Sequence, residues 1–517
     1  MGTDSVAAPA APAPSGRPAT SQVEDKGLKK NAIGFLSNVV IGVASTAPAY
    51  SLAATLGFIV AVSGVGVHAP AVLLVSFVPM LLIAIAYRFL NRADPDAGTT
   101  FAWTTRALGP GVGWWNGWTI VLADVIVMAS LSDIAAIYTF KLFGFTELGE
   151  SNAAIIIAAV IWIAVMTWIC YRGIELSARV QQVLLSAEVL ILAIFAAVAL
   201  AKVYGGHPAG SIQPKASWFD PTQLNFGDLV DGVLLGVFIY WGWDTAVTVN
   251  EESEDSNEGP GRAAVVSTIM LVVIYLIVTT GAQAFHGVGF LTNEANQEDV
   301  LSALGKPVLG GVFYKLLIIA VLTSASASTQ TTILPTARTT LSMAKWKALP
   351  GVLGRIHTRY LTPTVSTLGM GAASIVVTVT LLLISNNVLE DSLVALGFPI
   401  CFYYGFTGIA CAVYYRHELL KGVRKFVLLG LAPVAGALML FGVFGKAADA
   451  YGHASEVSSP PIAGITLPLW LGIGGILVGI VLMLASRPFF REFFSRKTET
   501  APPGLLEQPV EHAPAHF

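Results

Sequence analysis

Apolar stretches of about twenty residues recur twelve times along this chain, at roughly 33–62, 69–90, 114–140, 152–171, 179–202, 229–250, 263–285, 308–337, 364–385, 389–415, 425–446 and 465–486. No single water-soluble core accommodates that many. In a bilayer every backbone N–H and C=O must find its partner within the protein, which restricts segments of this kind to helices. Only 12% of the residues are charged and 55% are hydrophobic, against about 25% charged in soluble domains. The expectation is an all-α polytopic membrane protein with 12 transmembrane helices, numbered below as segments one to twelve.

An even number of crossings puts both ends on one side, and the basic residues say which. Of the 29 Lys and Arg, 23 fall on the face shared with the ends and 6 on the other, so the N- and C-termini are expected to be cytoplasmic in a multi-pass cell-membrane protein. The loop between segments six and seven is the acidic exception (Glu251, Glu252, Glu254, Asp255, Glu258). Residues 1–30, rich in Ala, Pro and Ser, lack the apolar core of a secretory signal and read as a disordered cytoplasmic tail, as do residues 491–517. Cys170, Cys401 and Cys411 sit in apolar segments without metal-ligand spacing, and no two of the eight histidines form a metal pair. No metal site, bound cofactor or nucleic-acid partner is expected, and the oligomeric state is not encoded in any recognisable pattern.

Segments one and six share a Gly-Val at mid-segment, Gly42-Val43 and Gly236-Val237, at an offset of 194 residues. The same offset carries the start of segment two onto seven and of segment three onto eight. An odd number of crossings separates each pair, so the related halves have opposite orientation. Both segments also carry helix breakers. In segment one, Gly42-Val43-Ala44-Ser45-Thr46 precedes Pro48, which lacks an amide proton. Counted from Ile33 at 1.5 Å per residue, Gly42 lies roughly 14 Å deep. Amides freed there, at the positive end of a second half-helix, suit an anionic group. In segment six, Phe238-Ile239-Tyr240-Trp241-Gly242 supplies aromatics and a glycine just before Asp244. Aromatic belts lie at helix ends, and these residues do not, so they are read as lining and gating a site.

Asp124 in segment three and Glu188 in segment five also come out near 14 Å deep. Intramembrane carboxyls mark ion or proton pathways, which makes Asp124 a binding candidate and Glu188 and Asp244 coupling candidates. Asp133 lies nine residues beyond Asp124, half a turn out of phase, and cannot face the same cavity. The run Thr323-Ser324-Ala325-Ser326-Ala327-Ser328-Thr329 in segment eight is either a close-packing seam or a set of hydroxyls beside segment one able to hold sodium.

Two loops are more specific. One reads Pro95-Asp96-Ala97-Gly98-Thr99, followed by Leu108-Gly109-Pro110. The other reads Ala337-Arg338, Ser342-Met343-Ala344, Leu349-Pro350, His357 and Thr362-Pro363. Together with Gly242-Trp243-Asp244 and the Glu251-Glu252 pair, they resemble the signatures of the amino acid, polyamine and organocation (APC) permeases over residues 30–490. The resemblance implies a LeuT-like 5+5 inverted repeat, here residues 31–220 and 221–416, with two C-terminal helices in 417–490. It implies a solute held between segments one, three, six and eight, with Phe238 at a gating position and Asp244 at that of a segment-six acid. Gly42-Val43-Ala44 stands where the family has Gly-Ser-Gly or Gly-x-Gly, and Glu188 where proton-coupled members have lysine, so the family's coupling mechanism does not transfer. The function it implies is a secondary active transporter, not an enzyme. It would import an amino acid by alternating access with a proton, or with sodium, as the coupled ion. A polyamine or cationic amine permease, an amino acid exchanger and a non-transporting membrane nutrient sensor are the alternatives.

Overall fold

Proline and small polar residues punctuate the apolar segments, and the backbone follows them. The computed structural model describes residues 25–385, 387–452 and 459–502; these are helical throughout, with isolated bridges and no strand among them. Eleven helical spans are long and apolar enough to cross a membrane, from Phe35–Ala61 to Leu467–Ser486. Segment six does not form such a span, because it is interrupted: a helix Phe226–Phe238, a turn, and one short helix Thr245–Thr248.

Burial sorts the spans into an inner and an outer set. Of the most apolar window, 94% is buried in segment one and 78% in segment eight, but only 33% in segments four and twelve. The outer set turns large apolar side chains outward, among them Ile157, Ile161, Trp168, Val183, Leu190 and Val481. The interior instead holds Ser45, Thr46, Asp124, Glu188, Asp244, Ser324 and Ser328. This inversion of the soluble pattern is what acyl chains as solvent demand, so the protein is embedded in a membrane.

Segment one is two helices, Phe35–Ser45 and Pro48–Ala61, joined through Thr46 and Ala47, the latter at φ 49°. Pro48 starts the second helix, where its missing amide proton costs nothing. The Thr46 hydroxyl donates to Val43 O (2.6 Å) and the Ser51 hydroxyl to Thr46 O (2.7 Å), so neighbouring side chains satisfy carbonyls released by the interruption. The break thus falls at Thr46–Ala47, just before Pro48 and within the expected stretch, while Gly42, Val43 and Ala44 remain helical. Gly42 has a packing role. A Cβ there would stand 2.6 Å from Ser267 Oγ of segment seven, so only glycine lets the two helices approach this closely.

The expected tails also differ where they are described. Residues 25–34 dock against the bundle rather than trailing from it. Lys26 is buried, 3.0 Å from Asp96 and ion-paired with Glu251, and Ala32 N–H donates to Glu252 O (2.8 Å). At the other end Phe493 is buried against Phe101, and Ala501 N–H donates to Tyr414 O (2.9 Å). Residues 1–24 and 503–517 lie outside the described residues.

In the Lys26 cluster two carboxyls share one ammonium. Burial opposes the Lys26 charge, but Asp96 and Glu251 outweigh it and hold its pKa above the ordinary lysine value. Asp96 also accepts from Gly98 N–H (2.7 Å), Ser342 Oγ (2.6 Å) and Trp346 Nε1 (3.0 Å). Although burial opposes its charge, Lys26 and these donors keep it below the usual carboxylate range. Glu251 has fewer donors, and burial pushes it up to about 7. Relative to the unfolded chain, where this carboxyl titrates at about 4.5, the folded cluster holds a proton on Glu251 up to about pH 7. The stability this contributes is full below about pH 4.5 and is lost as pH rises through about 7. Amide exchange of residues 25–34, corrected for intrinsic rate, is expected to be about tenfold more protected at pH 5.5 than at pH 8, on the order of one pKa unit of linkage. Glu251→Gln should abolish that dependence and Lys26→Ala should remove the protection at both pH values.

Candidate functional site

The two interruptions meet. Gly242 adopts φ +116°, and a Cβ on it would lie 2.8 Å from the carbonyl carbon and oxygen of Ser45, so glycine is required both by the turn and by the contact. Ser45 Oγ pairs with Thr245 Oγ1 (2.8 Å), and Ser328 Oγ of segment eight donates to Ser45 O (2.8 Å). Breaks in segments one and six and the hydroxyl run of segment eight thus share one buried polar centre.

The amides at the start of Pro48–Ala61 were expected to face an anionic solute. They are taken by the protein itself. Ala49 N–H donates to Glu188 Oε1 (2.7 Å) and Tyr50 N–H to Ser324 Oγ (3.1 Å), while Ser324 Oγ donates to the same Glu188 oxygen (2.8 Å). A carboxyl from segment five and a hydroxyl from segment eight therefore cap the half-helix where its orphan donors and dipole favour them. The second Glu188 oxygen is buried without a partner.

Asp244 lies just past the segment-six turn, and two tyrosines of segment ten hold it: Tyr404 Oη donates at 2.8 Å and Tyr403 Oη at 3.2 Å. Trp241 Nε1 donates to Tyr403 Oη, and Trp243 stacks on Tyr404 with centroids 5.1 Å apart. Asp124, also buried, accepts from Thr336 Oγ1 at 2.5 Å. Neither carboxyl is ion-paired with Lys or Arg among the described residues. Tyr403, Tyr404 and Thr336 were not singled out by sequence. The available signal was the Tyr403-Tyr404 pair in mid-segment, away from the interfaces that tyrosines prefer.

A cavity of about 310 Å³ descends between segments one, six, ten and eleven, lined by Thr55, Phe58, Leu234, Val237, Phe238 and Cys401 among others. Of the three aromatics proposed from sequence, only Phe238 lines it. Trp241 turns to Tyr403, while Tyr240 is buried in packing, its hydroxyl on Leu73 O (3.1 Å) and its ring edge-on to Tyr275. Ile239 O accepts from Tyr275 Oη. Gly42, Val43 and Ala44 sit in the helix below the break.

Residues 32–449 match the family described as amino acid permease. The chain belongs to this family. Among its relatives, the Asc-type amino acid transporter 1 of Homo sapiens is 24% identical over 450 residues, 84% of this permease and 78% of the relative. The low-affinity putrescine importer PlaP of Escherichia coli K12 is 22% identical over 429 residues, covering 81% and 88%. The branched-chain amino acid permease BcaP of Bacillus subtilis is 21% identical over 319 residues, covering 57% and 63%. These relatives are transporters, and the permease is a transporter of amino acids or amines, not an enzyme.

In this permease the contact of Gly242 with Ser45 yields a stability prediction. Gly242→Ala combines a left-handed alanine with a backbone collision and is expected to lower stability by about 2 kcal/mol or more. Thermal unfolding of the purified protein measures it, and an unchanged midpoint would contradict the contact.

Proposed function

We propose that the protein is a cell-membrane secondary active transporter that imports an amino acid by alternating access, driven by protons. The observation that carries this reading is two buried carboxyls, Asp124 and Asp244, free of any basic partner among the described residues, with Asp244 just past two touching helix breaks and Phe238, before the second break, lining a cavity. Buried charges without counter-ions are costly, and a substrate ammonium or protons supply what the protein does not. Phe238 acts as the gate between the cavity and the polar centre. Glu188, capping the half-helix with one oxygen and leaving the other free, is the proton carrier that links coupling to the break itself. Carbonyls and hydroxyls at Ser45, Thr46 and Ile239–Gly242 supply the remaining polar surface.

The layout that goes with this function is twelve crossings in two inverted five-helix repeats plus two, with both ends cytoplasmic. It is supported by the breaks, which begin after Ser45 and after Phe238, within one residue of the 194-residue offset of the Gly-Val pairs. The Lys26 cluster then lies at the cytoplasmic end and the Phe238 cavity opens outward.

A second reading, a cationic amine or polyamine permease, is favoured by the same two carboxyls. The amides expected to hold a solute carboxylate are already capped, and one relative is a putrescine importer.

Uptake into proteoliposomes tests the site. Asp244→Asn and Phe238→Ala are expected to reduce uptake to background, about 10²-fold or more, while inserting normally; wild-type rates in both would remove the assignment. Glu188→Gln keeps the acceptor oxygen and hence the cap. It should insert and bind substrate yet fail to concentrate it under an imposed proton gradient, and unimpaired accumulation would exclude Glu188 as the carrier. A nutrient sensor would bind solute with no accumulation in any variant.

A further inference from the structure

A second cavity, of about 540 Å³, lies between segments three, four, nine and ten and the loop carrying Glu298 and Asp299. It shares no lining residue with the cavity at Phe238. Its wall includes Asp133, the carboxyl that its helical phase separates from Asp124. Asp133 is only 7% exposed, and among the described residues no hydrogen bond or ion pair holds it. The other charges at this cavity are engaged. Asp299 accepts from Tyr138 Oη and from Lys141 Nζ (2.7 Å), which engages the one cation among the described lining residues, and Glu298 accepts from Asn387 Nδ2 (3.0 Å). The net field inside is negative, which rules against an anion. Ile134, Ile137 and Ile155 share the wall with Asp133, Asn152, Ser385 and Asn387, and no three Asp, Glu, His or Cys among the described residues converge as a metal would need.

A buried carboxyl without a partner, in a wall of mixed polar side chains and isoleucines, fits an ammonium group for the charge-assisted hydrogen bond and a short hydrocarbon body for the isoleucines. We infer that this cavity is a binding site for a small primary alkylammonium ion, with Asp133 taking the ammonium group and Ile134, Ile137 and Ile155 the chain. The site is separate from the Asp244 centre and does not depend on the transport reading.

Calorimetric titration of n-butylammonium into the full-length protein in nanodiscs tests the inference, with n-butanol as the uncharged probe of equal size. Titrations use the wild type, Asp244→Asn, and Asp133→Asn and Ile137→Trp each placed on the Asp244→Asn background, so that the central site contributes nothing. Butylammonium is expected to bind Asp244→Asn, and Asp133→Asn to weaken it roughly tenfold or more, the loss of a hydrogen bond to a charged group. Ile137→Trp should weaken it by filling the cavity with the carboxyl intact, and butanol should bind far more weakly than the amine. Unchanged affinity in Asp133→Asn, equal binding of butanol, or no butylammonium binding to Asp244→Asn would overturn the assignment. Failure of the transport reading shows instead in proteoliposome uptake and leaves these titrations unaffected.

Discussion

Main chain released from a helix inside acyl chains has no water to turn to, and the interior of this protein is arranged around that fact. Two interruptions, at Thr46–Ala47 and at Ile239–Asp244, release carbonyls and amides at one place. Nearly every polar side chain nearby is spent on them: Thr46, Ser51 and Ser328 on carbonyls of segment one, Tyr275 on Ile239 O, Glu188 and Ser324 on the amides of the second half-helix. Each lone break would be a liability. Placed against each other, with Gly242 on the Ser45 backbone, they share one set of partners.

Once the main chain is satisfied, what remains unsatisfied stands out. Asp124 and Asp244 receive hydroxyls from Thr336, Tyr403 and Tyr404 but no cation, so they retain affinity for a positive charge or a proton. Glu188 keeps one oxygen free while the other caps a helix. The segment-eight hydroxyls, by contrast, mostly donate to carbonyls and to Glu188.

The two ends of the bundle differ in kind. At the end where residues 25–34 dock, Lys26, Asp96, Glu251 and the Arg338–Glu252 pair, at 2.6 Å, form a dense buried ionic layer. At the other end lie the cavity at Phe238 and the cavity at Asp133. Under the proposed alternating access, breaking the ionic layer is the cost of opening toward the N-terminal segment.

Much of this was legible in the residues. Hydropathy and length located the spans, Pro48 and Gly242 marked the two interruptions, and depth alone picked out Asp124, Glu188 and Asp244, because each signal is local: a missing amide, a missing Cβ, a carboxyl in an apolar run. The partners were not legible. That Gly42 serves helix packing against Ser267, that Tyr240 turns into segments two and seven, that Tyr403 and Tyr404 hold Asp244, and that Lys26 leaves the tail to bury itself between Asp96 and Glu251 all depend on residues 35 to 225 positions away. Sequence by itself determined where helices must fail, since that is written in the chemistry of single residues; only tertiary structure decided which groups answer the failure, since a hydrogen bond across a bundle is set by how helices pack and not by their order along the chain.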